Sequence, residues 1–233
     1  MKAAACDLAA EGIACRRGER LVFAGLSFRL MAGGALVLVG SNGSGKTSLL
    51  RLVATLIEPA AGRLVWDGRP VAADRAAYRA QLAYVGHQDA VKPALSPRET
   101  LRFWAALRGL PPRRSAPLIE AALAGFALEA VADWPCRWLS AGQRRRLALA
   151  RLIAAPAPIW LLDEPTSGLD HDNQTRLEAA VAAHRDGGGR VLLATHLPLA
   201  LAAADSLVLD DFAPGAGDPE RERALAEHEA RFW

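Results

Sequence analysis

Gly40-Ser41-Asn42-Gly43-Ser44-Gly45-Lys46-Thr47 fits the phosphate-binding pattern G-x-x-x-x-G-K-[ST] at every fixed position. Its flanks decide what it belongs to. Ala35-Leu36-Val37-Leu38-Val39 before it reads as a buried strand. After it Leu49, Leu50, Val53, Leu56 and Ile57 recur at helical spacing until Pro59 and Gly62. Glycines let backbone N–H groups turn inward around phosphates, and the helix starting near Lys46 points its positive end at them. The pattern predicts that Gly40 through Ser48 contact a nucleotide. Lys46 should reach its β- and γ-phosphates, and the Thr47 hydroxyl should hold Mg²⁺. Only Lys2, Lys46 and Lys92 are lysines among 28 basic residues. A chain this biased towards arginine keeps lysine where a tight loop needs a compact charge.

Outward from the loop, short apolar runs alternate with helical patterns, which predicts an α/β fold with a largely parallel sheet. Leu82 to Val85, Ile159 to Leu162, Arg190 to Ala194 and Ser206 to Leu209 are strand candidates. Arg63 to Trp66 with the Asp67-Gly68 turn predicts a hairpin strand. Between about Asp89 and Trp138 the pattern is helical only. Ser96-Pro97-Arg98-Glu99 opens a helix with a capping box, running to Gly109, and a second passes through Leu118 to Leu123. This stretch reads as a helical lobe inserted into the core. Residues after Asp218-Pro219 suggest a surface helix.

With 233 residues, 52% of them hydrophobic and 23% charged, the chain is neither disordered nor fibrous. A net charge of +3 is too weak to argue for nucleic acid as a partner. The apolar run Leu152 to Leu162 is interrupted by Pro156 and Pro158, far short of a membrane span. The opening residues lack a signal-peptide core, and Cys6, Cys15 and Cys136 lack zinc spacing. A soluble intracellular chain with reduced thiols is expected.

Two further stretches carry chemistry. Ile159-Trp160-Leu161-Leu162-Asp163-Glu164 is a hydrophobic strand ending in two acids. Alone these are solvated carboxylates; with the loop upstream, Asp163 is placed to meet Mg²⁺ and Glu164 to polarise an attacking water. Leu139-Ser140-Ala141-Gly142-Gln143 precedes a helix rich in Arg144, Arg145, Arg146 and Arg151. Alone it is an N-cap followed by a basic solvated face.

Together with the loop, these stretches resemble the ATP-binding-cassette (ABC) ATPases over about Leu8 to Leu209. The resemblance implies a phosphate-loop core at about 1–88 and 156–210, a helical subdomain at about 89–155 and a tail helix at about 218–233. It makes Leu139 to Gln143 the signature, with Ala141 where glycine is usual. Asp163 and Glu164 become the acidic pair, Asp170 the D-loop acid, Gln88 the metal-side glutamine and His196 the switch histidine. The metal would thus be held by Thr47, Gln88 and Asp163, with Glu164, His196 and Gln88 catalytic. The family's adenine-stacking aromatic falls near Arg17, where none is present; Arg17 or Phe23 would have to serve.

In that family two copies face each other head to tail, so ATP lies between Lys46 of one and Ser140 of the other. A homodimer is therefore implied, together with separate membrane permease subunits and a place on the cytoplasmic face of an inner membrane. Tyr84-Val85-Gly86-His87-Gln88, Val91-Lys92, Leu95 and Arg98 to Trp104 resemble the subgroup powering haem export for cytochrome c maturation. His87, His171, His184 and His228 are read as surface or structural, so no direct haem binding is expected. An exporter of another small molecule or lipid is the alternative. A non-transport ABC ATPase acting on DNA or ribosomes would carry coiled-coil insertions or tandem cassettes, and the sequence has neither.

Overall fold

The computed structural model describes residues 7–196 and 199–214. The expected helix at 218–233 and His228 lie outside the described residues. In chain order come β1 (Leu8–Arg17), β2 (Arg20–Leu30), β3 (Ala35–Val39), α1 (Lys46–Val53), β4 (Ala61–Trp66), β5 (Arg69–Pro70), α2 (Arg75–Arg79) and β6 (Leu82–Val85). Three helices follow: α3 (Pro97–Leu107), α4 (Pro112–Gly125) and α5 (Ala141–Ala154). The chain then returns to the core through β7 (Ile159–Asp163), α6 (His171–Asp186), β8 (Arg190–Ala194) and β9 (Asp205–Val208). No helix among the described residues is long and apolar enough to cross a membrane.

Five strands form a wholly parallel sheet in the order β6-β7-β8-β3-β9. Its inner strands β3, β7 and β8 are almost wholly apolar because both faces are covered, whereas the edge strand β9 is largely exposed. Ile159 and Leu161 of β7 face a core shared with α1 and the second sheet, while Trp160 and Leu162 face the helical side. Leu192 and Val191 of β8 divide in the same way. Helices α3, α4 and α5 pack on one another, with Leu101, Leu123, Phe126 and Leu147 buried between them. The Ser96–Glu99 capping box is present, the Glu99 N–H donating to Ser96 Oγ at 3.2 Å and the Ser96 N–H to Glu99 Oε2 at 2.8 Å.

A second, antiparallel sheet in the order β2-β1-β4-β5 was not anticipated beyond its β4–β5 hairpin. Helix α1 also ends sooner than its apolar spacing predicts. Thr55 turns to φ +56 and is held there by Arg79, whose Nε donates to Thr55 Oγ1 at 2.6 Å and Nη2 to the Thr55 carbonyl at 2.8 Å. Leu56 is therefore left exposed. Strand β9 begins and ends one residue before the expected 206–209, since buried Leu209 opens a 3₁₀ turn over Leu209–Phe212.

Candidate functional site

The carboxyl ends of β3, β7 and β8 meet at one edge of the parallel sheet, where α/β folds hold their ligands. From β3 the chain enters the glycine loop, with Gly43 at φ +86 and Gly45 at φ +107. Gly45 is the N-cap of α1, and its carbonyl accepts the Leu49 N–H at 2.8 Å. Lys46 is folded over the loop, its Nζ donating to the Gly40 carbonyl at 2.7 Å and the Ser41 carbonyl at 2.9 Å. A cleft of about 370 Å³ opens beside it, with Asn42, Thr47 and Ser48 on the loop side, Arg17 and Arg20 at the β1–β2 turn, and Glu164 and His196 opposite. Three cationic side chains in one small concavity suit a polyanion.

Thr47 Oγ1 donates to Asp163 Oδ1 at 3.0 Å, and Tyr84 Oη donates to Asp163 Oδ2 at 3.4 Å. Asp163 is 2% exposed. Burial first, and then the charge of Asp163, raise the Tyr84 phenol above its ordinary value and keep it a donor. A hydroxyl and a buried carboxylate this close form a pair of hard oxygen donors, the chemistry Mg²⁺ takes from protein while phosphates supply the rest.

Glu164 sits just beyond β7 at φ +48. Its N–H donates to the Ala194 carbonyl at 2.8 Å, its Oε2 accepts the His196 N–H at 3.3 Å, and its Oε1 lies 3.2 Å from His196 Nε2. The carboxylate and the imidazole thus face the loop together from adjacent strands.

The remaining expected residues are placed apart from this cleft. Ser140 caps α5, its Oγ accepting the Gln143 N–H at 3.2 Å while its own N–H donates to Gln143 Oε1 at 2.8 Å. Leu139 is buried, Ser140 and Ala141 are exposed, and a Cβ on Gly142 would lie 3.5 Å from the Gly168 carbonyl, beside the D-loop. Asp170 caps α6, and two hydrogen bonds from Asn173 hold its carboxyl below its ordinary value. Gln88 is exposed after β6 and does not line the cleft. Phe23 is fully buried under the loop, where a Cβ on Gly45 would touch its ring at 3.0 Å, so it cannot reach a base; Arg17 lines the cleft.

The arginines of α5 do not form the solvated basic face that this stretch would suggest if taken alone. Arg145 and Arg151 are 5% and 9% exposed, and Arg146 Nη1 donates to the Phe126 and Ala127 carbonyls. Local packing takes the guanidinium groups because they can each satisfy several buried carbonyls. Sequence reasoning missed Asp210 as well. Its carboxylate accepts the Ser41 N–H at 2.9 Å and the Ser41 hydroxyl at 2.8 Å, which hold it below its ordinary value and tie the loop to the turn after β9. Nothing in the local sequence signals a pairing 169 residues long.

The family model of the ABC transporter matches residues 23–167. The cytochrome c biogenesis ATP-binding export protein CcmA of Rhodospirillum rubrum is 54% identical over 93% of this chain and 90% of its own. That of Paramagnetospirillum magneticum is 53% identical over 88% and 94%. A solved ATP-binding subunit of an ABC transporter superposes with a TM-score of 0.76 at 25% identity, over 82% of this chain and 79% of its own. A cleft built for a polyanion, on this fold and with these relatives, makes the chain a member of the ABC transporter ATP-binding family, and within it of the cytochrome c biogenesis ATP-binding export proteins.

Proposed function

We propose that this chain hydrolyses ATP to drive haem export for c-type cytochrome assembly, acting on separate membrane subunits from the cytoplasmic face of an inner membrane. The observation that carries the chemistry is the convergence of Lys46, the Thr47–Asp163 pair and the Glu164–His196 pair on one cleft. The export and the cytochrome are supported by what the chain's relatives are, cytochrome c biogenesis ATP-binding export proteins.

In this reading the triphosphate lies along the loop, and Lys46 exchanges the Gly40 and Ser41 carbonyls for phosphate oxygens. Thr47 and Asp163 would hold Mg²⁺, with Gln88 completing the set once its loop closes; the ion screens phosphate charge. Glu164 accepts the proton of the attacking water, and His196 fixes its carboxylate. Arg17 covers the base with its planar guanidinium. Leu139 to Gln143 lie outside this cleft, which supports a head-to-tail homodimer in which a second copy presents its signature to the bound nucleotide. The dimer closes over ATP and opens after hydrolysis. The core at about 1–88 and 156–210 does the chemistry, and the lobe at about 89–155 passes the motion to the membrane subunit, which alone handles haem.

The test is Lys46→Ala in the living cell. Covalent haem on c-type cytochromes should disappear from haem-stained gels while b-type cytochromes persist, since only the former need haem moved and attached outside the cytoplasm. Normal c-type bands, with ATPase activity shown to be lost, would transfer the chain to an exporter of another small molecule.

A further inference from the structure

Arg145 occupies the first turns of α5, five residues beyond Ser140, and is 5% exposed. A guanidinium has five N–H donors, and this one has five acceptors. Its Nε donates to the Pro165 carbonyl at 3.4 Å; Nη1 donates to the Gly86 carbonyl at 2.9 Å and Asp89 Oδ1 at 3.2 Å. Its Nη2 donates to the Asp163 carbonyl at 3.1 Å and the Glu164 carbonyl at 2.6 Å. Three segments that never pair as strands, the loop after β6, the turn after β7 and the start of α5, therefore meet on one side chain.

The turn after β7 that it grips is under conformational load. Glu164 has φ +48, a region that costs a residue with a Cβ and persists only where the surroundings over-determine it. Its N–H is fixed by the Ala194 carbonyl, and its own carbonyl accepts from Arg145 at 2.6 Å and, less closely, from the Ser167 N–H at 3.2 Å. With both flanking peptides held, the direction in which the carboxylate leaves the backbone is set. Asp89, the charged group facing Arg145, stands one residue beyond Gln88, so the same guanidinium binds the loop that carries that glutamine.

We propose that Arg145 is a positioning residue for hydrolysis: it aims the Glu164 carboxylate and locks it to the Gln88 loop and to the helix that starts at the signature. This rests on the reading of Glu164 as the proton acceptor. Nucleotide affinity, set by the loop and α1, does not depend on Arg145; the rate of the chemical step does.

The experiment compares full-length wild type, Arg145→Gln, Arg145→Lys, Asp89→Asn and Glu164→Gln for ATP affinity, kcat, KM and melting temperature. Glutamine offers two donors for five acceptors, and a carboxylate displaced by about 1 Å loses on the order of 100-fold in rate. Arg145→Gln should therefore lower kcat about 100-fold with KM and ATP affinity changed no more than about threefold. Arg145→Lys should recover part of the rate. Asp89→Asn should lower kcat less, and add nothing when combined with Arg145→Gln. A parallel loss of ATP affinity and melting temperature in Arg145→Gln and Arg145→Lys would overturn the proposal, since that is what mere scaffolding gives. Full-rate Arg145 variants beside an inactive Glu164→Gln would overturn it while leaving the base in place. A Glu164→Gln protein as fast as wild type would remove the base itself. Should Arg145→Gln not fold, an unchanged kcat in Asp89→Asn overturns the proposal.

Discussion

Substituting Gly45 by alanine should cost ATP binding far more than the same change at Gly43, although both glycines lie in the same loop at positive φ. Gly43, at φ +86, has open space where a Cβ would stand. The penalty there is backbone strain alone, about 1–3 kcal/mol. Gly45, at φ +107, bears the same kind of strain, and its Cβ would also lie 2.7 Å from Val22 Cγ1 and 3.0 Å from Phe23 Cδ1. Phe23 is fully buried and has nowhere to retreat. Forcing a carbon into such packing adds about 1–3 kcal/mol. A domain stable by about 5–15 kcal/mol will not unfold for that; the loop will shift off β2 instead. An extra 1–3 kcal/mol, roughly, corresponds to a 5- to 150-fold loss of affinity beyond that of Gly43→Ala. Titration of a fluorescent ATP analogue into both variants, with melting curves to confirm folding, measures the difference. The steric argument is refuted if Gly45→Ala binds as well as Gly43→Ala.

Glu164→Gln should keep ATP bound yet hydrolyse it slowly, so that sedimentation at saturating ATP finds a dimer; a strictly monomeric protein would count against the head-to-tail sandwich. His184 stacks on Trp160 with ring centres 3.9 Å apart, and burial, helped by the charge of Arg190, brings its imidazole from 6.5 down to about 4 against backbone hydrogen bonds that raise it. Between those values the unfolded chain binds the proton and the folded chain does not, so stability should be full above pH 6.5 and fall as the pH drops towards 4. His184→Phe keeps the stack and should flatten this part of the melting-temperature profile; an equal slope in both proteins would assign the loss to other groups.

What was legible in the sequence is chemistry whose geometry is local. A phosphate loop works through consecutive backbone N–H groups, so its eight residues declare it wherever they stand. The two acids ending β7 are legible because a fully apolar strand delivers them to a known edge of the sheet. Pairing between β1 and β2 was missed, although Gly18-Glu19 between two apolar runs is a turn signal, because β1 and β2 each shift register through bulges that break the alternation. Arg145 was hidden inside a run of three arginines. Successive helical residues point about 100° apart, so three in a row cannot share a solvent face. Arg145 lies one turn from buried Leu149 and two from buried Leu152, which places it inward. Asp210 on Ser41, Tyr84 on Asp163 and Arg145 on Glu164 share one property: each joins a motif residue to a distant part of the chain. Motifs specify which atoms react, whereas these long-range contacts specify where the motifs stand relative to one another. Changes at the second set should therefore alter rates and coupling while every recognisable motif stays intact.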